Sequence, residues 1–157
     1  MQKITTFLWF DKQAEEAAKF YCSVFKESKI LGITRHLEGS GVGKGEVLTV
    51  QFRLGDQEYV ALNGGPHFKF TEAISLMINC KDQKEVDYYW EKLLAGGGQE
   101  SACGWLKDRY GLSWQVTPTI LLEMVADQDR EKAQRAFNAM LQMRKIEIRK
   151  LKEAYDG

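Results

Sequence analysis

The chain has 157 residues, enough for one domain that buries its core without disulfides or metals. Its 22 basic residues balance 22 acidic ones, and this zero net charge argues against a nucleic-acid partner. No apolar run approaches the length that spans a bilayer, and the N-terminus lacks the layout of a signal peptide. We therefore predict a cytoplasmic protein with no membrane partner.

The first part of the chain predicts a strand, an amphipathic helix and three further strands. Ala14, Ala17, Tyr21 and Phe25 recur at helical spacing, and Gly55 begins a tight turn that makes the last two strands a hairpin. A glycine-rich turn precedes that hairpin. The predicted ranges are 4–11 for the first strand, 12–28 for the helix, 29–38, 46–54 and 56–64 for the other strands, and 40–45 for the turn.

The same order then recurs. Asp82 is a candidate N-cap for a second helix and Gly96 a stop signal. Sliding the chain by 69 residues places Phe20-Tyr21 on Tyr89-Trp90, which indicates an internal repeat; chance similarity between two amphipathic helices is the alternative. The predicted ranges are a strand at 73–81, a helix at 82–97, and strands within SACGWLKD (101–108) and LSWQVTPT (112–119).

The last part of the chain, from about 120 to 157, predicts helices. Asp129 can cap one helix, whose apolar stripe includes Ala133, Phe137 and Leu141. A second helix is expected to carry Ile146, Ile148, Leu151 and Tyr155. Such stripes are typical of docking onto the domain or onto a sister subunit.

Sorting each strand by parity separates an apolar face from a mixed one. We assign Phe7 and Trp9 to the apolar face, beneath the helices. The opposite face is polar but almost uncharged, which is typical of a concave ligand site; a solvated sheet surface is the alternative. The candidate ligand-binding residues on it are Thr6, Phe10, Gln51, Arg53, Tyr59, Asn63, Ser75, Asn79 and Gln115. Trp105 is a further candidate, which either stacks on a flat ligand or belongs to the core.

Two features near this face have competing interpretations. Arg53 is its one strong charge and suits a carboxylate or phosphate on a ligand, or else solubilises the rim. The segment NGGPHFKF at 63–70 can act as a lid that closes Phe68 and Phe70 over a ligand, or can simply anchor a crossover.

Three separated segments resemble the vicinal oxygen chelate superfamily, in particular its PhnB-like branch, often labelled 3-demethylubiquinone-9 3-methyltransferase-like. They are FLWFDKQAEEAAKFYCSVF at 7–25, ALNGGPHFKFTEAISLMINCKDQKEVDYYWEKL at 61–93 and CGWLKDRYGLSWQVTPT at 103–119, with further likeness in the tail. The resemblance implies an α+β fold of two tandem βαβββ modules, at about 1–65 and 73–119, that form a curved half-barrel cup, followed by a helical tail. The whole chain, 1–157, is then expected to be a single glyoxalase-like domain.

The superfamily includes glyoxalase I, extradiol dioxygenases, fosfomycin-resistance enzymes and bleomycin-binding proteins, and its enzymes hold a divalent metal on four strands. The matching positions here are Thr6, Ala61 (or Asn63), Ser75 and Gln115. Only the amide of Gln115 is a plausible ligand among them, because alanine has no donor and neutral hydroxyls bind such metals poorly. We therefore predict no metal and no cofactor.

Two functional hypotheses follow. The first is a metal-independent protein that binds an aromatic or anionic small molecule in the cup. The alternative is an enzyme of the same superfamily with an unidentified reaction, in which Gln115, Asn63 or Asn79 holds a metal unconventionally. No catalytic residue can be assigned from the sequence, and the methyltransferase label lacks a glycine-rich strand-to-helix turn to support it. Open sheet edges predict a homodimer.

Overall fold

The computed structural model describes residues 2–39, 41 and 43–157, so the glycine-rich turn predicted at 40–45 lies partly outside the described residues. The chain divides into two compact units, Met1–Lys69 and Phe70–Gly157. Across the described positions, no helix is both long and apolar enough to cross a membrane.

Unit 1 is a four-stranded mixed sheet with one helix. Its strands lie in the order β1-β4-β3-β2, with β1 parallel to β4 and the other neighbours antiparallel. Gly55, at φ 57°, provides the left-handed turn between β3 and β4, as the hairpin prediction requires. The elements are β1 (Thr6–Phe10), α1 (Ala14–Val24), β2 (Ser28–Arg35), β3 (Val47–Leu54) and β4 (Gln57–Asn63).

Unit 2 repeats this topology. Its strands lie in the order β5-β8-β7-β6, again with the first and last strands parallel. The two βαβββ modules confirm the α+β fold predicted from the repeat and the resemblance. The elements are β5 (Ser75–Cys80), α2 (Gln83–Leu94), β6 (Gln99–Glu100), β7 (Trp105–Lys107) and β8 (Ser113–Pro118), then α3 (Thr119–Val125), α4 (Arg130–Leu141) and α5 (Ile148–Asp156).

The strand predicted within 101–108 is much shorter than expected. Cys103 and Gly104 have φ values of 59° and 81°, which no strand accommodates. Their N–H groups donate to the carbonyls of Met143 and Arg144 at 2.8 and 2.7 Å. This contact with the tail therefore confines β7 to Trp105–Lys107.

The helical tail is anchored to unit 2 by polar contacts and an apolar core. Gln83, at the start of α2, donates to the carbonyl of Ile146 and accepts from the N–H of Ile148. Asp129 caps α4 by accepting from the backbone of Glu131 and Lys132, as predicted. The buried core of the tail contains Leu121, Met124, Ala136, Met143, Ile146 and Leu151.

Asp108 lies in the loop between β7 and β8, and its buried carboxylate accepts hydrogen bonds from that hairpin. It is only 3% exposed. Its Oδ1 accepts from the N–H groups of Tyr110 and Leu112, and its Oδ2 accepts from Trp114 Nε1 at 2.9 Å. One carboxylate therefore determines the path of the loop between the two strands.

Replacing Asp108 tests this role. Asp108→Ala leaves three donors without their acceptor, so we expect the free energy of unfolding to fall by roughly 3 kcal/mol. Urea unfolding followed by circular dichroism measures the change. Glu123→Ala, at an exposed position of α3, is the control and should stay within about 0.5 kcal/mol. Equal stability of the two variants would show that the hairpin does not depend on Asp108.

Candidate functional site

One face of the unit 1 sheet is covered by α1. Tyr21 of α1 stacks on Phe52 at 6.1 Å between ring centroids, and Phe52 stacks on Tyr59 at 5.5 Å. Phe52 and Val50 are fully buried, which confirms the side predicted for the apolar residues of β3. The face opposite α1 is called open face 1 below.

The predicted orientation of β1 is wrong. Leu8 and Phe10 are 4% and 3% exposed, whereas Phe7 is 60% exposed. The parallel pairing of β1 with β4 sets Leu8 beside the fully buried Ala61, which puts Leu8 on the covered face. Because β1 is apolar at both parities, alternation alone could not choose its inward side.

The predicted orientation of β4 is also wrong, because its pairing with β1 puts Ala61 on the covered face and Val60 on the open face. Asn63 shows what the polar groups of β4 do instead. Asn63 Oδ1 accepts from the N–H of Ala14 at 2.8 Å, and its Nδ2 donates to the carbonyl of Val47 at 3.1 Å. Its amide therefore ties the start of α1 to the start of β3. Thr6, Phe10, Tyr59 and Asn63 therefore lie on the covered face and not on the ligand-facing side to which they were assigned. Burial raises the pKa of Tyr59.

Open face 1 combines aromatic, aliphatic and polar side chains in register. Phe7 pairs with Val60, which pairs with Gln51; Trp9 pairs with Leu62, which pairs with Thr49. The apolar groups of this face thus lie on β1 and β4, and β3 contributes polar groups. Its members include Phe7, Trp9, Thr49, Gln51, Arg53, Val60 and Leu62, together with Lys29 and Glu58, which pair with Arg53. Of these, Gln51 and Arg53 were predicted as ligand-binding residues; Phe7, Trp9 and Leu62 were missed.

Trp9 is held in place by the loop that follows β4. Its Nε1 donates to the carbonyl of Gly65 at 2.9 Å, and its ring meets Phe68 edge-on at 4.9 Å. A side chain at Gly64 would not fit, because a Cβ there would lie 2.3 Å from Trp9 Cζ2. Phe68 remains 66% exposed, so the loop leaves one aromatic ring accessible beside Trp9.

Arg53 has an unsatisfied donor. Its Nε is buried and finds no hydrogen-bond acceptor in the described part of the chain. Register places it between Lys29 of β2 and Glu58 of β4. A buried donor without a partner is unfavourable, and an incoming carboxylate or phosphate oxygen would satisfy it.

The open face of unit 2, called open face 2 below, follows the prediction. Leu106, Trp114 and Val116 are buried on the covered side. Gln115 Nε2 donates to Ser75 Oγ at 2.8 Å, so two predicted site residues are in direct contact. The predicted residues Ser75, Asn79, Trp105 and Gln115 share this face with Met77, Lys107, Ser113 and Thr117.

A pocket of about 240 Å³ in unit 2 contains two residues of open face 2 that were not among the predicted ligand-binding residues, Lys107 and Ser113. Lys107 Nζ contacts Glu72 Oε1 at 2.8 Å. Ser113 is 1% exposed, and its Oγ has no hydrogen-bond partner among the described residues. The alternation of Trp105 and Lys107 in β7 was the sequence signal that could have identified Lys107.

A second pocket, of about 660 Å³, lies in unit 1 where β1 and β4 end. Its lining is mostly charged or polar and includes Asp11, Lys12, His36 and Glu46. Asp11 Oδ1 is buried without a partner in the described ranges. Sequence reasoning gave no indication of this pocket, because its lining comes from four distant segments.

The residues present do not fit the divalent metal of the superfamily's enzymes. Thr6 and Ala61 lie on the covered face, and their open-face neighbours Phe7, Val60 and Leu62 carry no donor atom. Ser75 and Gln115 do lie together on open face 2, but they supply only a hydroxyl and an amide. Within residues 2–39, 41 and 43–157, no group of three or more His, Cys, Asp or Glu side chains is placed to hold a metal.

The strand-to-helix turns also lack the features of a nucleotide-type cofactor site. A Rossmann site needs glycines between a strand and the following helix. Here those connections are 11–13 and 81–82, which contain no glycine, whereas Gly96, Gly97 and Gly98 follow α2. The residues therefore do not fit S-adenosylmethionine bound in the Rossmann manner.

Comparison with known proteins gives the family. A family model described as 3-demethylubiquinone-9 3-methyltransferase matches residues 2–117. The PhnB protein of Bacillus cereus, whose description carries the same family name, has a TM-score of 0.67 and 38% identity, covering 74% of this chain and 99% of that one. A protein from Pseudomonas aeruginosa has a TM-score of 0.62 and 16% identity, covering 75% and 98%. Among curated proteins, no significant match was found.

The duplicated βαβββ topology and these matches place the chain in the vicinal oxygen chelate fold, as the resemblance implied. Within that fold, the chain belongs to the PhnB-like family described as 3-demethylubiquinone-9 3-methyltransferase. The matched region ends before α3, so it leaves the likeness predicted for the tail untested.

The fit of Trp9 against Gly64 can be tested by one substitution. Gly64→Ala should displace the Trp9 ring or the loop and destabilise the protein by roughly 1–3 kcal/mol, because a rigid indole cannot give way locally. The indole N–H resonance of Trp9 in NMR spectra should shift. Gly32→Ala is the control, since its nearest neighbour is Gln51 Oε1 at an ordinary 3.5 Å. An unchanged indole resonance in Gly64→Ala would contradict the described packing.

Proposed function

We propose that the chain binds a small molecule that has an aromatic or apolar body and an anionic group, and that it does so without a metal. The observation that carries this proposal is the buried, unsatisfied Nε of Arg53 on the same face as Phe7 and Trp9. The surrounding side chains are uncharged apart from the Lys29 and Glu58 that flank Arg53. Such a combination of apolar contacts with one charged anchor is typical of small-molecule sites.

The dimensions of open face 1 suit a ligand of this kind. Phe7 and Arg53 lie two strands apart, roughly 10 Å across the sheet at ordinary strand spacing. An aromatic body over Phe7, Val60 and Leu62 therefore leaves its anionic group within reach of the guanidinium. Gln51 lies in the same row as Phe7 and Val60, next to Arg53 on this face of β3, and offers hydrogen bonds to polar groups of the ligand.

The alternative, an enzyme with an unconventional metal, has less support. Asn63 uses its amide oxygen to accept from the N–H of Ala14, so this oxygen already has a partner. Gln115 donates its amide N–H to Ser75 and offers a metal only a neutral amide oxygen. Asn79 remains exposed, but a lone amide is a weak ligand for a divalent transition metal. We therefore favour binding over turnover, and we treat the methyltransferase description as the name of the family.

The proposal predicts a specific dependence on Arg53. Aromatic carboxylates and phosphates should raise the melting temperature, with about 2.7 kcal/mol of stabilisation at a hundredfold excess over Kd, whereas their neutral amide analogues should not. Arg53→Gln should weaken binding of the anions about tenfold or more, because it removes a charge-assisted hydrogen bond. Calorimetric titration measures the affinities, with metal chelator present throughout.

Arg149→Gln is the matched control, because Arg149 is exposed on α5. It should leave affinity unchanged. Two results would contradict the proposal: binding of anions that is unaffected by Arg53→Gln, or binding that requires added divalent metal.

We also infer that the protein forms a homodimer. β1 and β2 are the edge strands of their sheet, and the exposed apolar residues of unit 1 include Phe7 on β1 and Leu31 and Ile33 on β2. Unpaired edges with apolar side chains favour association with a second copy. Sedimentation velocity should give twice the chain mass of 18.0 kDa at micromolar concentration. A species with the mass of one chain at every concentration would exclude a dimer.

A further inference from the structure

The pocket in unit 2 is organised around one row of paired residues. Ser75 of β5 pairs with Ser113 of β8, Ser113 pairs with Lys107 of β7, and Lys107 pairs with Gln99 of β6. Paired residues on neighbouring strands project to the same face, so all four belong to open face 2. A hydroxyl and an ammonium are thereby neighbours on adjacent strands.

Ser113 has no partner for its hydroxyl in the described chain. It is 1% exposed, so water cannot freely replace a missing hydrogen bond. Its neighbour Ser75 already accepts from Gln115. Buried polar groups are satisfied in nearly all native proteins, and a hydroxyl that lines a pocket can be satisfied by a ligand bound there.

Lys107 is occupied by a carboxylate from outside the sheet. Glu72 lies in the turn just before β5, and its Oε1 is 2.8 Å from Lys107 Nζ. The Glu72 side chain is 63% exposed, and the hydrogen bond from Lys107 holds the pKa of its carboxyl below the ordinary value. Exposed ion pairs of this kind are weak, so another anion can replace Glu72 at small cost.

We propose that this pocket binds an oxyanion, a carboxylate or a phosphate, and that Glu72 is an internal competitor for it. The incoming oxyanion accepts from Lys107 Nζ and Ser113 Oγ, and Glu72 swings into solvent. Trp105 lines the same pocket and contacts the part of the ligand next to the anion. The inference rests on the proposed function and adds a second anion-binding position, in unit 2, with its own built-in competitor.

The competitor gives the inference a distinctive signature. Loss of an internal competitor should strengthen ligand binding, whereas loss of a structural ion pair should not. Glu72→Gln should therefore bind oxyanions about two- to fivefold more tightly, the range expected for removing an exposed ion pair. Lys107→Met should bind about tenfold more weakly or worse.

Ser113→Ala separates a binding role from a structural one. Its hydroxyl makes no hydrogen bond to the described chain, so the free energy of unfolding should be unchanged or slightly raised. Oxyanion affinity should nevertheless fall about threefold or more. A clear loss of stability would show a structural hydroxyl and would overturn the assignment.

The experiment is a titration of the full chain with inorganic phosphate and, separately, with acetate, followed by backbone and indole NMR signals. The wild type, Glu72→Gln, Lys107→Met and Ser113→Ala are compared, and Lys107→Arg checks that a retained cation retains binding. The expected shifts centre on Lys107, Ser113 and Trp105. The two anions distinguish a phosphate site from a carboxylate site.

The exposed ion pair between Lys150 and Glu147, at 2.7 Å on α5, provides matched controls. Lys150→Met and Glu147→Gln should leave both affinities unchanged. The inference is overturned if Glu72→Gln fails to tighten binding, if Lys107→Met binds as well as the wild type, or if neither anion shifts these signals at its solubility limit. Aromatic anions that respond to Arg53→Gln but not to Lys107→Met would overturn this inference alone and leave the proposed function intact.

Discussion

The parallel pairing of the first and last strand in each βαβββ module decides which side chains can meet a ligand. In unit 1 it aligns Leu8 with Ala61, and in unit 2 it aligns Leu76 with Trp114, so each covered face acquires a continuous apolar core. Because side chains alternate strictly along a strand, the same pairing simultaneously fixes every residue of the open face. A shift of one residue in the first pairing would turn Leu8 away from the covered face, and one in the second would turn Ser75 beneath a helix.

The backbone at the start of the helix is capped differently in the two modules. α2 begins at Asp82, whose own side chain accepts from the N–H of Glu85. α1 has no such cap at Gln13, and Asn63 of β4 supplies an amide instead. Unit 1 therefore anchors its helix with a residue of a strand, whereas unit 2 uses the residue that precedes its helix.

The sequence predicted the four strands of unit 1, three of the four strands of unit 2, the helices α1 and α2 and the internal repeat, because alternation, helical spacing and turn residues agree locally. It did not predict β6, because a strand of two residues shows no alternation. It also placed Gln51, Arg53, Ser75, Asn79 and Gln115 on the open faces, since each lies in a strand with one clearly apolar parity. It failed for β1, where both parities are apolar, and for β4, which is decided by its pairing with β1. The contact of Lys107 with Glu72 joins residues 35 positions apart, and no periodic pattern reports such a contact.

Charge on this protein works locally. With a net charge of zero, long-range attraction of an anionic ligand is absent, and a screening length of about 8 Å at physiological salt confines each cation to its own surroundings. Lys107 is neutralised by Glu72, while Arg53 keeps a buried donor that no described residue satisfies. An anion bound at open face 1 therefore gains a hydrogen bond that no described residue already receives, whereas one approaching the pocket in unit 2 must first compete with Glu72. The two positions should consequently differ in affinity even for the same oxyanion, with the guanidinium the stronger of the two.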